Sequence, residues 1–144
     1  MIYTAQTKKA LRIAFDAHRD QVDKMGLPYI FHPFHLAEQM GDELSVCVAL
    51  LHDVVEDTEY TFENLAEEGI SCEVIDVLRL LTHDDAEPYM DYIQRIKDSG
   101  NAVAIAVKLA DLRHNSDGSR LDWVDEKTSE RLERYRAALG LLND

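Results

Sequence analysis

Four polar residues interrupt segments of the sequence that are otherwise apolar with helical spacing. They are His32, His52, Asp53 and Asp111. Burying two carboxylates without partners costs several kcal/mol, and a shared cation removes that cost. Two imidazoles and two carboxylates form a mixed nitrogen and oxygen set suited to Mn²⁺, Fe²⁺, Co²⁺ or Zn²⁺. The pattern predicts one divalent metal site, while separate solvated or ion-paired residues remain the alternative.

An acidic pair follows the His52-Asp53 dipeptide. On a continuing helix, Glu56 lies one turn beyond both residues of the dipeptide, and Asp57 lies one turn beyond Asp53. Carboxylates this close repel each other, which is tolerated beside a cation or where a raised pKa serves proton transfer. The alternative, a solvated acidic helix end, is electrostatically poor because the helix dipole disfavours anions there. We therefore expect Glu56 and Asp57 to take part in chemistry.

Helices must position these residues. Apolar residues recur at helical spacing almost throughout the chain, and strand-like alternation is hard to find. The spacing predicts an all-α fold of seven or eight helices. Pro33 fits the first turn of a helix that runs through Met40 and stops at Gly41. The run from Ala102 to Ala110 is apolar on nearly all sides, which predicts a helix buried at the centre of the domain.

Local signals mark several of the other helix ends. Thr61 and Ser71 are predicted N-caps, and Gly69 and Gly100 are predicted stops. A last amphipathic helix carries Leu132 and further apolar residues at helical spacing.

Composition limits the classes of function. The 144 residues include 28 acidic and 15 basic ones, for a net charge of −13, and 46% are hydrophobic. This predicts one compact domain spanning residues 1–144. No Lys/Arg cluster exceeds Lys8-Lys9, so we expect no nucleic acid and no anionic membrane as partner. The first residues lack a signal peptide, which predicts a cytoplasmic protein with reduced Cys47 and Cys72. The oligomeric state does not follow from the sequence.

The chain resembles the HD-domain hydrolases of the RelA/SpoT kind, which remove the 3′-pyrophosphate of the alarmone (p)ppGpp. The resemblance runs in order from about Ala10 to about Leu121. It rests on four segments: Ala17-His18 with Gln21; Gly26-Leu27-Pro28-Tyr29-Ile30-Phe31-His32-Pro33; Leu50-Leu51-His52-Asp53-Val54-Val55-Glu56-Asp57-Thr58; and Val107-Lys108-Leu109-Ala110-Asp111-Leu112-Arg113-His114-Asn115. Each segment alone is ordinary, and the ordered set is specific for the superfamily.

The resemblance assigns roles to individual residues. The two histidines and two aspartates named first correspond to the four ligands of a single metal ion, usually Mn²⁺. Glu56 and Asp57 correspond to the pair that positions or deprotonates the attacking water. Lys24 and Asn115 correspond to substrate contacts. The implied function is a free-standing, metal-dependent phosphohydrolase acting on a small-molecule nucleotide, with local cations such as Lys24, Lys108 or Arg113 offsetting the acidic chain.

The chain also departs from the family pattern. Asp23 stands where the alarmone hydrolases usually place a basic residue, and Ser116-Asp117 and the stretch from Thr82 to Asp91 differ as well. If the alarmone is the substrate, Asp23 must point away or be neutralised, and Asp23→Arg would then improve catalysis. Two alternatives stay open: an HD-fold phosphohydrolase acting on another nucleotide, such as a nucleoside monophosphate, and a non-catalytic nucleotide-sensing module.

Two further histidines receive no ligand role. His18 falls on an apolar helical stripe, which predicts a core residue or a group that orients a ligand. His35 shares a turn with His32 but lacks further zinc-type partners, so we expect it to serve packing or the surface.

Overall fold

Nine α-helices and no β-strand form the structure, a computed structural model that describes residues 1–144. The helices are α1 (Ala5–Ala17), α2 (Phe31–Glu38), α3 (Glu43–Leu51), α4 (Val54–Asp57), α5 (Phe62–Glu67), α6 (Cys72–Leu81), α7 (Tyr89–Ser99), α8 (Ala102–Asn115) and α9 (Glu126–Asn143). A 3₁₀ turn (Gly118–Arg120) precedes α9. Eight helices have six or more residues and α4 is a single turn, so the predicted all-α fold is confirmed.

The predicted helix ends are largely confirmed. Thr61 and Ser71 accept hydrogen bonds from backbone N–H groups as N-caps of α5 and α6, and Gly100 closes α7 in the left-handed region at φ 64°. Pro33 lies in the first turn of α2, but α2 ends at Glu38, before Met40. After this end, Asp42 has an extended backbone and caps α3 by accepting from the Ser45 N–H.

The central helix is α3, and the prediction that α8 would occupy this place was wrong. Every residue from Ser45 to Leu51 is buried, and α1, α2, α6 and α8 pack around this segment. In α8, Ala102 and Ala106 face solvent. Alanine exposes little apolar surface, so an alanine-rich run looks buried in the sequence without being so. The 28-residue core draws on all nine helices, with α3 contributing six of its residues.

A turn between α3 and α4 corrects the expected continuous helix. His52 ends α3, and Asp53 adopts φ −101° and ψ −3° before α4 begins. Adjacent residues on a regular helix point about 100° apart and do not face one point. The turn therefore lets His52 and Asp53 present ligand atoms to the same place. No helix combines the length and apolar character needed to cross a membrane.

Candidate metal and catalytic site

The structure brings the four punctuating residues together. We call His32, His52, Asp53 and Asp111 the His-Asp cluster; one ligand atom from each lies within 4.8 Å of every other. His32 Nε2 is 2.8 Å from Asp111 Oδ1, and His52 Nε2 is 3.0 Å from Asp53 Oδ2. Donors that share an ion at about 2.0–2.3 Å lie about 3 to 4.5 Å apart. The cluster is thus a group that could hold one divalent metal.

The surroundings of His52 fit a metal ligand. Its Nδ1 lies 2.6 Å from the Ala49 carbonyl oxygen and must donate to it, so a neutral ring keeps its lone pair on Nε2. That Nε2 is buried and makes no hydrogen bond of good geometry, although it lies 3.4 Å from Asp111 Oδ1. A bare nitrogen aimed between two carboxylate oxygens is the arrangement that a cation completes.

Electrostatics lead to the same conclusion. Burial opposes the charge on His52, yet the carboxylates of Asp53 and Asp111 outweigh it and raise the pKa of His52 well above its ordinary value. Burial likewise opposes ionisation of Asp53, but His52 lowers its pKa to about 2. Both carboxylates therefore stay ionised, and they attract either a proton on His52 or a metal ion.

Four neighbours fix the orientation of the cluster. The Tyr29 hydroxyl donates to Asp53 Oδ2, Asn115 Nδ2 donates to Asp111 Oδ1 at 3.0 Å, and Lys108 Nζ donates to Asp111 Oδ2 at 2.8 Å. His32 Nδ1 is 2.7 Å from His114 Nδ1. Burial and the nearby Arg120 lower the pKa of His114 to about 4, so it is neutral and can accept this bond. Such outer contacts hold ligand rings and carboxylates in place.

The sequence pattern missed most of these neighbours. From the sequence, His114 and Tyr29 receive no individual role, and Lys108 is expected to offset the negative charge of the chain. All three belong to segments that carry the family resemblance, which was the available signal. Arg113, another cation suggested from the sequence, is exposed. It lines no cavity beside the cluster.

The two members of the acidic pair have different surroundings. Glu56 accepts a hydrogen bond from the His83 backbone N–H, while no hydrogen bond holds the Asp57 carboxylate. Partial burial and the nearby Asp53 carboxylate raise the pKa of Asp57 to about 6. The Asp57 backbone is fixed by Gln21 Nε2, which donates to its carbonyl at 2.9 Å. The main chain of Asp57 is thus held in place, and its carboxylate has a pKa near neutrality, as a general base requires.

The loop between α6 and α7 holds Glu56. Arg95 of α7 donates to the carbonyl oxygens of Leu80 and Thr82 at 3.0 and 3.2 Å and pairs with Glu87. This fixes the path of the backbone that presents the His83 N–H to Glu56. The divergent stretch from Thr82 to Asp91 therefore contributes through the main chain of His83 and through the Glu87 side chain that pairs with Arg95.

A small cavity lies between Glu56 and three residues of the cluster. Its volume is about 10 Å³, close to the least that holds one water molecule. The polar residues that line it are His52, Asp53, Glu56, Lys108 and Asp111. A water molecule there would touch the cluster and one of the two expected catalytic carboxylates.

Two larger cavities open beside the cluster. One of about 340 Å³ is lined by Lys24, Asn115 and Tyr29 together with Arg120 and Arg131, and we call it the basic pocket. A neighbouring cavity of about 510 Å³ shares Tyr29, Asn115 and Arg120 with it and reaches His32. Both have the size of small-molecule sites. Lys24 and Asn115, the two expected substrate contacts, thus lie in one pocket, where Lys24 Nζ donates to Thr128 at 2.8 Å.

Asp23 does not face the basic pocket as a free charge. Its Oδ1 accepts the backbone N–H groups of Met25 and Leu27 at 2.9 and 3.0 Å, and its Oδ2 lies 3.9 Å from Arg120. Arg120 is thus a neighbouring cation of the kind that an alarmone substrate would require beside Asp23. The proposed Asp23→Arg change is a poor test, because arginine cannot accept those two bonds.

The remaining predicted residues lie around the site. His18 is buried and bonds Gln21 through Nδ1 at 2.7 Å, while His35 is exposed and stacks on His114 at 4.3 Å. A wider apolar groove of about 780 Å³ is lined by Phe15, Phe31 and Phe34 among others. It contains no residue of the cluster and none that hydrogen-bonds to the cluster, so its size does not make it the reactive site.

Comparison with known proteins places the chain among RelA/SpoT-type sequences. It is similar to guanosine-3′,5′-bis(diphosphate) 3′-pyrophosphohydrolase of Haemophilus influenzae, with 37% identity over 117 residues, 72% of this chain and 17% of that protein. It is also similar to the bifunctional (p)ppGpp synthase/hydrolase SpoT of Escherichia coli K12, with 33% identity over 128 residues, 75% of this chain and 17% of that protein. The chain matches no protein-family model.

A solved structure has the same fold. It belongs to a metazoan ortholog of SpoT described as hydrolysing ppGpp, and it matches with a TM-score of 0.80 at 24% identity. The match covers 99% of this chain and 88% of that one. The likeness establishes the fold, while the chain spans about 17% of the length of the curated relatives above.

Proposed function

We propose that this chain, an HD domain of the RelA/SpoT type, is a metal-dependent phosphohydrolase that removes the 3′-pyrophosphate of (p)ppGpp. The products are GDP or GTP and pyrophosphate. The observation that carries the proposal is the His-Asp cluster, which lies between a water-sized cavity and the basic pocket. We further propose that residues 1–144 act as one such domain, in the cytoplasm.

The cluster would hold one divalent metal through His32, His52, Asp53 and Asp111, and we propose Mn²⁺. Its mixed nitrogen and oxygen donors without thiolates suit this ion. When bound, such an ion polarises the scissile phosphate and lowers the pKa of water, which together lower the activation barrier by several kcal/mol.

The chain's own residues handle the proton. Asp57, with its pKa near neutrality, would accept the proton of the attacking water. Glu56 lines the cavity and would orient that water, since its own carboxylate is held by a backbone N–H. Attack on the phosphorus of the 3′-pyrophosphate breaks its ester bond to the ribose.

The basic pocket supports a polyphosphate substrate. In a chain of net charge −13, it gathers Lys24, Arg120 and Arg131, with Tyr29 and Tyr135 in the same lining. Local cations act within a screening length of about 8 Å and offset the repulsion of the acidic chain. The acidic residue at position 23 favoured another nucleotide as substrate. Because Asp23 is paired with Arg120, it is compatible with a polyphosphate substrate.

A nucleotide panel tests the proposal. The protein is incubated with Mn²⁺ and ppGpp, pppGpp, GTP or nucleoside monophosphates, and released pyrophosphate and phosphate are measured separately. We expect pyrophosphate to be released from ppGpp and pppGpp. Asp53→Asn should lose this activity, and the exposed control Asp20→Asn should keep it. Brisk hydrolysis of another nucleotide without pyrophosphate from ppGpp would refute the substrate, and nucleotide binding without any turnover would favour a sensor.

A further inference from the structure

Lys108 is a largely buried cation that contacts the His-Asp cluster through Asp111. Its side chain is 12% exposed, and its Nζ lies 5.1 and 5.8 Å from the ring centres of Tyr92 and Tyr89. Burial opposes its charge, yet Asp111 outweighs burial and raises the pKa of Lys108 well above its usual value. A buried charge persists only when it is paired, and Asp111 is its partner.

The two oxygens of Asp111 have different environments. Oδ1 faces the cluster: it lies 2.8 Å from His32 Nε2 and accepts from Asn115 at 3.0 Å. Oδ2 accepts from Lys108 at 2.8 Å. Asp111 therefore offers the cluster one oxygen, while the other is engaged.

We infer that Lys108 is a positioning residue that keeps Asp111 a one-oxygen ligand and so preserves open positions on the metal. This inference rests on the function proposed above. A carboxylate can bind a cation through one oxygen or both. With one atom from each member of the cluster, a six-coordinate ion keeps two positions. If Asp111 used both oxygens, only one would be left.

The reaction needs both positions. One is required for the attacking water and another for a phosphate oxygen of the substrate, if the metal is to act on both. The same reasoning explains why Lys108 is not a substrate contact: its ammonium group already bonds Asp111 and is enclosed by two tyrosine rings.

The test uses Lys108→Met, whose unbranched side chain can pack against the tyrosines, with Lys108→Leu as a second variant. Neither side chain can donate a hydrogen bond to Asp111. Lys8→Gln, an exposed lysine on α1, controls for the loss of one charge. Water-proton relaxation counts the exchangeable waters on bound Mn²⁺, and a Mn²⁺ titration followed by electron paramagnetic resonance gives its Kd. Circular dichroism confirms that each variant is folded.

We expect two exchangeable waters in the wild type and in Lys8→Gln, and one in either Lys108 variant. The Kd for Mn²⁺ should stay equal or fall, because a positive charge next to the ion is lost, while turnover of ppGpp falls about 10- to 100-fold. A residue with only a packing role would weaken Mn²⁺ binding and leave the water count unchanged.

The outcomes separate the two proposals. A wild type that binds no Mn²⁺ overturns the proposed function and this inference with it. A wild type that binds Mn²⁺ with fewer than two exchangeable waters overturns the role of Lys108 alone, even if neither variant folds. A folded Lys108 variant that keeps two waters does the same.

Discussion

Replacing Asp57 by asparagine separates proton transfer from metal binding. The amide has nearly the same shape, and the Asp57 carbonyl can still accept the hydrogen bond from Gln21. Asp57 contributes no ligand atom to the cluster. With a pKa of about 6, the carboxylate is about nine-tenths ionised at pH 7 and ready to accept a proton. The asparagine side chain cannot accept one.

We expect Asp57→Asn to lower kcat strongly without lowering the stability of the protein. A positioned base contributes about 10² to 10⁴ in rate, which corresponds to about 2.7 to 5.4 kcal/mol of barrier. A carboxyl whose pKa is raised by folding opposes folding above that pKa, and the effect vanishes below the unfolded value near 4. Asp57→Asn should therefore keep or raise the Tm of the metal-free protein at pH 7.

The assay is a pH profile of ppGpp hydrolysis at saturating Mn²⁺, with metal content measured by elemental analysis. The wild type should lose kcat as the pH falls through about 6, and the residual activity of Asp57→Asn should lack that limb. The control Asp20→Asn also removes one negative charge, at an exposed position. It should match the wild type. Loss of metal from Asp57→Asn, or activity above a tenth of wild type, would refute the reasoning.

Three further outcomes are expected. Glu56→Gln can still accept the His83 N–H, so its metal content should stay intact while kcat falls by about 10² to 10⁴; a lost metal would make Glu56 a ligand. Asp23→Asn keeps both turn hydrogen bonds and releases Arg120 from its pair to face the substrate, so kcat/KM for ppGpp should rise a few-fold, about 0.2 to 1 kcal/mol; a decrease would contradict this. Mn²⁺ at 100 times its Kd should raise the free energy of unfolding by about 2.7 kcal/mol, and less in acid because His52 binds a proton there. Thermal unfolding with and without chelator measures this, and a Tm indifferent to Mn²⁺ would contradict it.

The predictions from sequence succeeded where one residue type has few alternatives. Thr61 and Ser71 before apolar runs cap helices almost by necessity, and a buried aspartate such as Asp111 needs a partner. The convergence of the cluster could be predicted because all four residues interrupt apolar segments that had to pack together.

The rest depended on tertiary geometry. The burial of α8 was overestimated because alanine has no strong preference for the interior of a helix bundle. The turn at Asp53 was missed because no glycine or proline marks it. The contact between Lys108 and Asp111 was not predicted, because a lysine in a mostly apolar run can reach outward to solvent or inward to a carboxylate, and periodicity does not distinguish the two.

The hold on Glu56 has a consequence for how the protein can be altered. The contact uses the main-chain N–H of His83, and Arg95 fixes that main chain by binding two carbonyl oxygens. Any non-proline residue supplies the same N–H. The exposed positions Asp85 and Ala86 of the loop between α6 and α7 can therefore take other side chains, but the length of the loop and the pairing of Glu87 with Arg95 cannot change. The loop is a place to graft new substrate contacts beside the reaction centre without disturbing the carboxylate it holds.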